Sequence, residues 1–405
     1  MTTTAGSRIA PAAAPALRMA FAIVKLFPGG GLQRDCLALA RVVQARGHAV
    51  EILTAERAAG DFADDLAVRA LPVAARTNHG RQAAFSTRVA AEAARFDAVI
   101  GFNKLPGLDA LYCADPSIAA RMSEVPILAL LPRYRAFRAL EAESFAPGRA
   151  TRLLLLSKAQ AESYRAAWGT EPERITVLPP TLSLARRQPA LRRDGTRDNL
   201  RAALGLGGEI VWLAVAVQPA TKGLDRTLRA LVRHPDARLL VAGLAATDKA
   251  AGETLRLARK LGVADRVIWL GHREDVPAVM AVADLLVHPA RLDTTGTVIL
   301  EAVVNGLPVI AGGVCGYAEH VAAAGAGLVV PEPFDAAAFA TALATASDPA
   351  RRAAWSAAGA AYGASPDLYA GREKAADLII ETASAKAAAR GGPAPVGAQA
   401  VAPVK

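Results

Sequence analysis

Short apolar runs alternate with longer amphipathic stretches along most of this chain, and the alternation is played out twice. Parallel strands joined by crossover helices require that rhythm, because a strand buried on both faces needs a helix over it before the next strand pairs alongside. In the first half, strands are predicted at MAFAIVKLF from Met19, HAVEILT from His48, FDAVIGFN from Phe96, RLLLLS from Arg152 and ITVLPP from Ile175. The first intervening helix, over 32–46, puts Leu32, Cys36, Leu39 or Ala40 and Val43 on one side. Arg34, Arg41 and Gln44 turn outward, and Gly47 stops it.

A Pro/Arg-rich, weakly patterned segment, TLSLARRQPALRRDGTRDN, then interrupts the rhythm and reads as an interdomain connection. Beyond it come EIVWLAVAV from Glu209, ARLLVAG from Ala237, RVIWLG from Arg266, DLLVHPA from Asp284, LPVIAGG from Leu307 and AGLVVPE from Ala326. Helix-length segments at 223–233, 247–261 and 294–305 lie between them. Two such halves predict an α/β protein of two Rossmann-like, open parallel-sheet domains facing across a cleft, with ligands at the carboxyl ends of the strands. The expected division is a disordered leader at 1–18, a first domain at 19–180, a linker at 181–205 and a second domain at 206–364. A C-terminal helix at 365–382 is expected to return to the first domain, ahead of a disordered, low-complexity tail at 383–405.

Composition removes several function classes. Cys36, Cys113 and Cys315 show no CxxC or CxxH spacing, which argues against disulfides and structural zinc and fits a reducing compartment. The net charge of +10, mainly from arginine, suits phosphorylated small molecules, an anionic membrane surface or nucleic acid. The arginines spread over both halves without a reading helix or stacking platform, which weighs against nucleic acid. No apolar run approaches the ~20 residues that span a bilayer, and the leader is broken by proline and arginine before a signal-peptide core builds. HExxH, GxxxxGK[ST], GxSxG and DxD are all absent.

Glu301 poses the functional question. It lies in an apolar run behind the hydroxyl-rich DTTGT, where an unpartnered buried carboxylate costs on the order of several kcal/mol. Either a backbone group or an arginine satisfies it, or the vicinal hydroxyls of a ligand do. Seven residues separate it from Asp293, and Thr294, Thr295, Gly296, Thr297 and Val298 between them form a helix start whose backbone N–H groups suit phosphate. FPGGGLQRD repeats the idea after the first strand: Gly30 and Gly31 allow close backbone approach, and Asp35 stands one turn into the helix. QPATKGLDRTL does so in the second half, where Lys222 opposes the helix dipole and so invites an anion. The ordinary alternatives are a tight turn, a surface aspartate and a solvated lysine.

TNHGR, with Asn78, His79 and Arg81, and GFNKLPGLD, with Asn103, Lys104 and Asp109, read as polar loops at strand ends, able to grip an anionic acceptor or simply to turn the chain. PRYRAFRALEAESF interleaves Arg133, Arg135 and Arg138 with Tyr134 and Phe137 at helical spacing. That suits an interfacial helix on anionic lipid, or equally a solvated face packed by its aromatics.

With Asp293, Glu301, Lys222 and the glycine loop in hand, the chain resembles the retaining glycosyltransferases of family 4, which have the GT-B fold. FPGGGLQRD, TNHGR, GFNKLPGLD, RYRAF, TEPERITVLPP, ADLLVHPA and VCGYAEH narrow the likeness to the bacterial lipopolysaccharide core glucosyltransferases, over about 19–380. The resemblance implies transfer of a hexose, glucose from UDP-glucose, onto an inner-core sugar of lipopolysaccharide, with no metal and no other cofactor. It implies Asp35 and Lys222 as catalytic groups and Gly30 and Gly31 against the donor. Lys222 would hold the diphosphate, Glu301 the ribose, Asp293 the sugar hydroxyls and Arg273 the nucleobase pocket, while Asn78, His79, Arg81, Asn103, Lys104 and Asp109 would face the acceptor. The implied partners are a UDP-sugar, a lipopolysaccharide or other glycolipid acceptor and an anionic membrane, at the inner face of a bacterial inner membrane. Two departures touch the donor: Thr221 stands where the family has arginine, and Asp293 where it has glutamate. The alternatives are transfer to a sphingolipid or lipid-linked glycan, and a noncatalytic nucleotide-sugar or anionic-lipid binding module.

Overall fold

The apolar runs pair as parallel strands into two sheets in the computed structural model, which describes residues 16–391. The first sheet contains β1 (Arg18–Leu26), β2 (Ala49–Arg57), β3 (Ala67–Ala70), β4 (Ala98–Gly101), β5 (Ala110–Cys113), β6 (Arg152–Leu155) and β7 (Ile175–Val177), in the order β3-β2-β1-β4-β5-β6-β7. The second contains β8 (Ile210–Val215), β9 (Ala237–Ala242), β10 (Val267–Gly271), β11 (Leu285–His288), β12 (Val309–Gly312) and β13 (Gly327–Val330), in the order β10-β9-β8-β11-β12-β13. Both are the doubly wound pattern that the alternation predicts. Strand order reverses beside β1 and β4 in one sheet and beside β8 and β11 in the other, and loops leaving the carboxyl ends of such strands form ligand crevices.

All the strands named from sequence are present, with β3 and β5 in addition. The arginine-bearing β3, with exposed ends, lacks the continuous apolar run that marks the others, whereas β5 is a buried apolar run of only four residues, ALYC. Central strands are buried through their middles, as β8 at Val211, Trp212, Leu213 and Ala214, and helices cover the sheets with apolar stripes such as Cys36, Leu37, Leu39, Ala40 and Val43 on Gly31–Ala45.

Of the described residues, those up to Tyr112, with Ala129–Leu153 and those from Ala375 on, form one compact unit; Cys113–Leu128 and Leu154–Lys374 form the other. The last helix runs Gly371–Gly391, so residues 383–391 are helical rather than part of a disordered tail. ASAKAAAR is rich in good helix formers, and Lys386 bonds Asp109 Oδ2 at 2.6 Å while Arg390 bonds the Phe96 carbonyl at 2.9 Å. The rest of the expected tail, and the leader up to residue 15, lie outside the described residues.

The segment expected to be a plain linker is also structured. It carries 3-10 turns at Leu184–Arg186 and Pro189–Arg192 and the helix Thr196–Ala203. Asn305 holds it: its amide donates to the Arg186 carbonyl at 2.7 Å and accepts from the Gln188 N–H at 2.6 Å.

Candidate active site

In the second unit, the loops leaving β8 and β11 are locked to each other. Gly223 adopts φ +71°, and a Cβ there would fall 2.0 Å from the Pro289 carbonyl oxygen, so only glycine permits this approach. Arg291 donates its N–H to the Thr221 carbonyl at 2.8 Å and its guanidinium to both oxygens of Asp225, at 2.6 and 2.8 Å. Arg226 bonds the Pro289 and Ala290 carbonyls. Lys222 is thereby carried to Asp293, with Nζ 2.7 Å from Oδ2.

Asp293 is the hub of this arrangement. His288, the last residue of β11 and 1% exposed, places Nε2 2.8 Å from the same Oδ2, and the Gly296 N–H donates to Oδ1 at 2.9 Å. Burial alone would raise the carboxyl, but the His288 hydrogen bond and the Lys222 charge outweigh it and hold the group down at about 2. Asp293 is therefore ionised and oriented at every physiological pH.

His288, Asp293 and Cys315 bring three possible ligand atoms within 4.8 Å of one another. Their chemistry fits a metal poorly. The Asp293 oxygen is already committed to Lys222 and His288, and burial, with Asp293 next, pushes the Cys315 thiol well up, away from the thiolate a metal would need.

Gly296, at φ +72°, opens the helix Thr297–Val304, which starts without a side-chain cap. Its first-turn N–H groups, beside Thr294, Thr295, Thr297 and Val298, make an anion-accepting end. Glu301 lies on this helix with 15% of its side chain exposed, and the Arg186 guanidinium approaches it at 3.8 Å, beyond hydrogen-bonding reach. The arginine alternative is thus present as a charge neighbour. Arg273 follows β10 and is paired with Asp275 through two bonds, at 2.7 and 2.5 Å.

In the first unit, β1 ends at Leu26 and Gly30 precedes the helix that begins at Gly31, beyond whose Cα there is open space. One turn in, Asp35 Oδ2 accepts the Tyr112 hydroxyl at 3.0 Å, and Tyr112 is buried on β5. Asn103, after β4, accepts the Val24 N–H at 2.8 Å and so pins its loop to β1. Asn78, His79 and Arg81 open the helix Asn78–Glu92, capped by Thr77 through the Gly80 N–H. Arg81 bonds Asn78 at 3.0 Å, and His79 packs edge-on against Phe137.

Two expected acceptor residues are placed otherwise. Lys104 turns inward, 7% exposed, to a 2.6 Å ion pair with Glu141, whose side chain is fully buried; its ammonium serves the interior. Asp109 lies at the amino end of β5, away from the carboxyl ends, and spends its carboxylate on the Val99 N–H and Lys386. GFNKLPGLD reads as one polar loop, and nothing in its composition separates Asn103 at one end from Asp109 at the other.

Arg133, Arg135 and Arg138 are exposed on the helix Pro132–Phe145, and Tyr134 is half-buried with the Arg133 guanidinium 4.9 Å from its ring centre. Sequence reasoning missed what precedes them: Ile127, Leu130 and Leu131 are 69%, 74% and 41% exposed. It also missed Tyr112 and His288; a polar residue closing the buried strand ADLLVHPA was the available signal for the latter. Among the described residues, no helix is long and apolar enough to cross a membrane.

Residues 196–361 match the family model "Glycosyl transferases group 1", and residues 30–181 match "Glycosyl transferase 4-like domain". The chain is 35% identical over 380 residues to the lipopolysaccharide glucosyltransferase WaaG of Escherichia coli (strain K12), covering 89% of this chain and 98% of that protein. The crystal structure of WaaG, a glycosyltransferase involved in lipopolysaccharide biosynthesis, superposes with a TM-score of 0.81 at 37% identity, over 89% of this chain and 99% of that one. D-inositol 3-phosphate glycosyltransferase of Mycobacterium sp. (strain KMS) is 36% identical over 177 residues, 41% of this chain and 38% of that protein. Anabaena HepE, solved with UDP and glucose, shares the fold with a TM-score of 0.67 at 19% identity, over 91% and 99% of the two chains.

Proposed function

The chain belongs to the group 1 glycosyltransferases and has their GT-B fold, and from that premise we propose that it moves glucose from UDP-glucose onto a core sugar of lipopolysaccharide. The observation that carries the reading is the Lys222–Asp293–His288 cluster at the β8/β11 reversal, joined to likeness along nearly the whole length of WaaG. In this reading Lys222 turns from Asp293 to the donor diphosphate, and the uncapped start of Thr297–Val304 meets the same charge. These positive groups do the work for which other transferases use a divalent cation.

Asp293, fixed and ionised, accepts from the hydroxyls of the transferred sugar, and Glu301 from the ribose. As the bond from the anomeric carbon to the diphosphate oxygen breaks, the acceptor oxygen bonds that carbon on the same face. Its proton passes to the departing phosphate or to Asp35, which Tyr112 orients. Each charge contact made in the transition state is worth about 2.7–4 kcal/mol. Asn103 and the Asn78–Arg81 turn are the remaining acceptor residues of this reading.

The exposed Ile127, Leu130 and Leu131, followed by Arg133, Arg135 and Arg138, support peripheral attachment to the anionic inner face of a bacterial membrane, where a glycolipid acceptor resides. The test is a panel of UDP-sugars scored by thermal protection and by UDP release with and without lipopolysaccharide core acceptor, in EDTA. UDP-glucose should protect most and release UDP fastest with acceptor present. Stronger protection by another sugar, acceptor-independent release, or loss of activity in EDTA defeats the proposal.

A further inference from the structure

Away from Lys222 and Asp293, the second unit holds a separate cavity of about 540 Å³, bounded by the segment after Arg186, by the Asn305–Gly306 turn and by the helix Pro349–Tyr362. Arg187, Arg192, Arg193, Arg197 and Arg352 line it, and among the described lining residues Asp284 is the sole carboxylate.

Three of these arginines are firmly held. Arg192 donates to the Met280 and Ala283 carbonyls at 2.8 and 3.0 Å, and Arg352 to the Ala346 and Ser347 carbonyls at 2.7 Å. Arg197 donates to the Ala281, Val282 and Ala283 carbonyls and, at 2.6 Å, to Asp284. These bonds fix the guanidinium groups at the C-terminal ends of Val276–Val282 and Ala336–Ala346, ends that offer about half a negative charge each. Carbonyls carry no net charge, and Asp284 is shared with Arg201 at 3.4 Å. Positive charge in the cavity therefore exceeds what faces it.

The excess is felt at Arg192. Burial first, then Arg197 and Arg193, lower the Arg192 guanidinium to about 10, with Asp284 acting the other way.

We propose that this arginine-lined cavity binds a multiply charged phosphate group, as a site distinct from the one at Lys222. Guanidinium forks match phosphate oxygens two at a time, and phosphate brings more than the single charge a carboxylate would. The volume admits pyrophosphate or a phosphorylated sugar, two sources of the same chemistry.

The full-length Lys222→Ala variant is the vehicle for the test, because it lacks the lysine that would hold a diphosphate at the other centre. Its thermal midpoint is measured with inorganic pyrophosphate, with glucose 1-phosphate, and with sodium chloride at matched ionic strength. At least one phosphate compound should give a saturable rise of about 3 °C or more over chloride. Adding Arg187→Gln and Arg193→Gln should abolish it, and Arg193→Gln alone, on an exposed side chain, should weaken it without changing the unliganded midpoint. The compound with the larger shift identifies the source. No shift beyond chloride, or a shift that survives both arginine substitutions, overturns the proposal.

Discussion

Lys222→Ala separates the two jobs of one lysine. Its ammonium sits 2.7 Å from Asp293 Oδ2, and the Asp293 side chain is only 10% exposed. Holding that carboxyl at about 2, against an ordinary 3.8, is worth about 2 kcal/mol of folding stability at neutral pH. His288 and the Gly296 N–H remain in the variant, so about half should be lost, lowering the midpoint by about 2–4 °C. A depressed carboxyl stabilises above its unfolded value and loses that contribution as pH falls through its folded one. The gap between variant and wild type should accordingly be full at pH 7 and close between about pH 4 and 2. Turnover should fall much further, about 10²–10³-fold, because the charge developing on the diphosphate loses its nearest cation. Steady-state UDP release, with kcat and KM for UDP-glucose separated, reads the catalytic part, and scanning calorimetry across pH reads the other. A folded variant with kcat within about fivefold of wild type would refute the catalytic assignment. A collapse of the midpoint by more than about 10 °C would show that the lysine is chiefly structural.

Breaking the buried Lys104–Glu141 pair from one side, by Lys104→Met, should cost about 3–5 kcal/mol in urea unfolding, whereas Lys104→Met with Glu141→Leu should recover most of it; equal losses in single and double variants would contradict a simple uncompensated charge. Replacing Ile127, Leu130 and Leu131 by serine should abolish retention on vesicles containing anionic lipid while leaving UDP-glucose binding unchanged. Undiminished retention at low salt would remove these residues from the membrane contact.

The fold was legible because buried parallel strands are long apolar runs, and all six strands of the second sheet begin within two residues of where those runs do. Strand β3 escaped because an edge strand with exposed ends needs no apolar run. The loops after β8 and β11 could be read because each follows a strand that the rhythm marks. What sequence could not rank was the direction of a polar side chain within a short loop. Lys104 and Asp109 stand five residues apart in GFNKLPGLD, yet one enters the interior and the other closes the amino end of β5. Likewise, the loops that carry Asp293 and Lys222 are legible, but the ion pair between them spans 71 positions and depends on Gly223 admitting the Pro289 carbonyl. The C-terminal helix shows the reverse error, alanine-rich sequence read as featureless although alanine is the best helix former.

Asn305 gives the chain's midsection a mechanical character that its composition hides. By gripping Arg186 and Gln188 it fastens the incoming strand of polypeptide to the same helix that bears Glu301. A residue inserted or removed there would act as a lever on the Glu301 carboxylate, where an untethered coil would have taken up the change as slack.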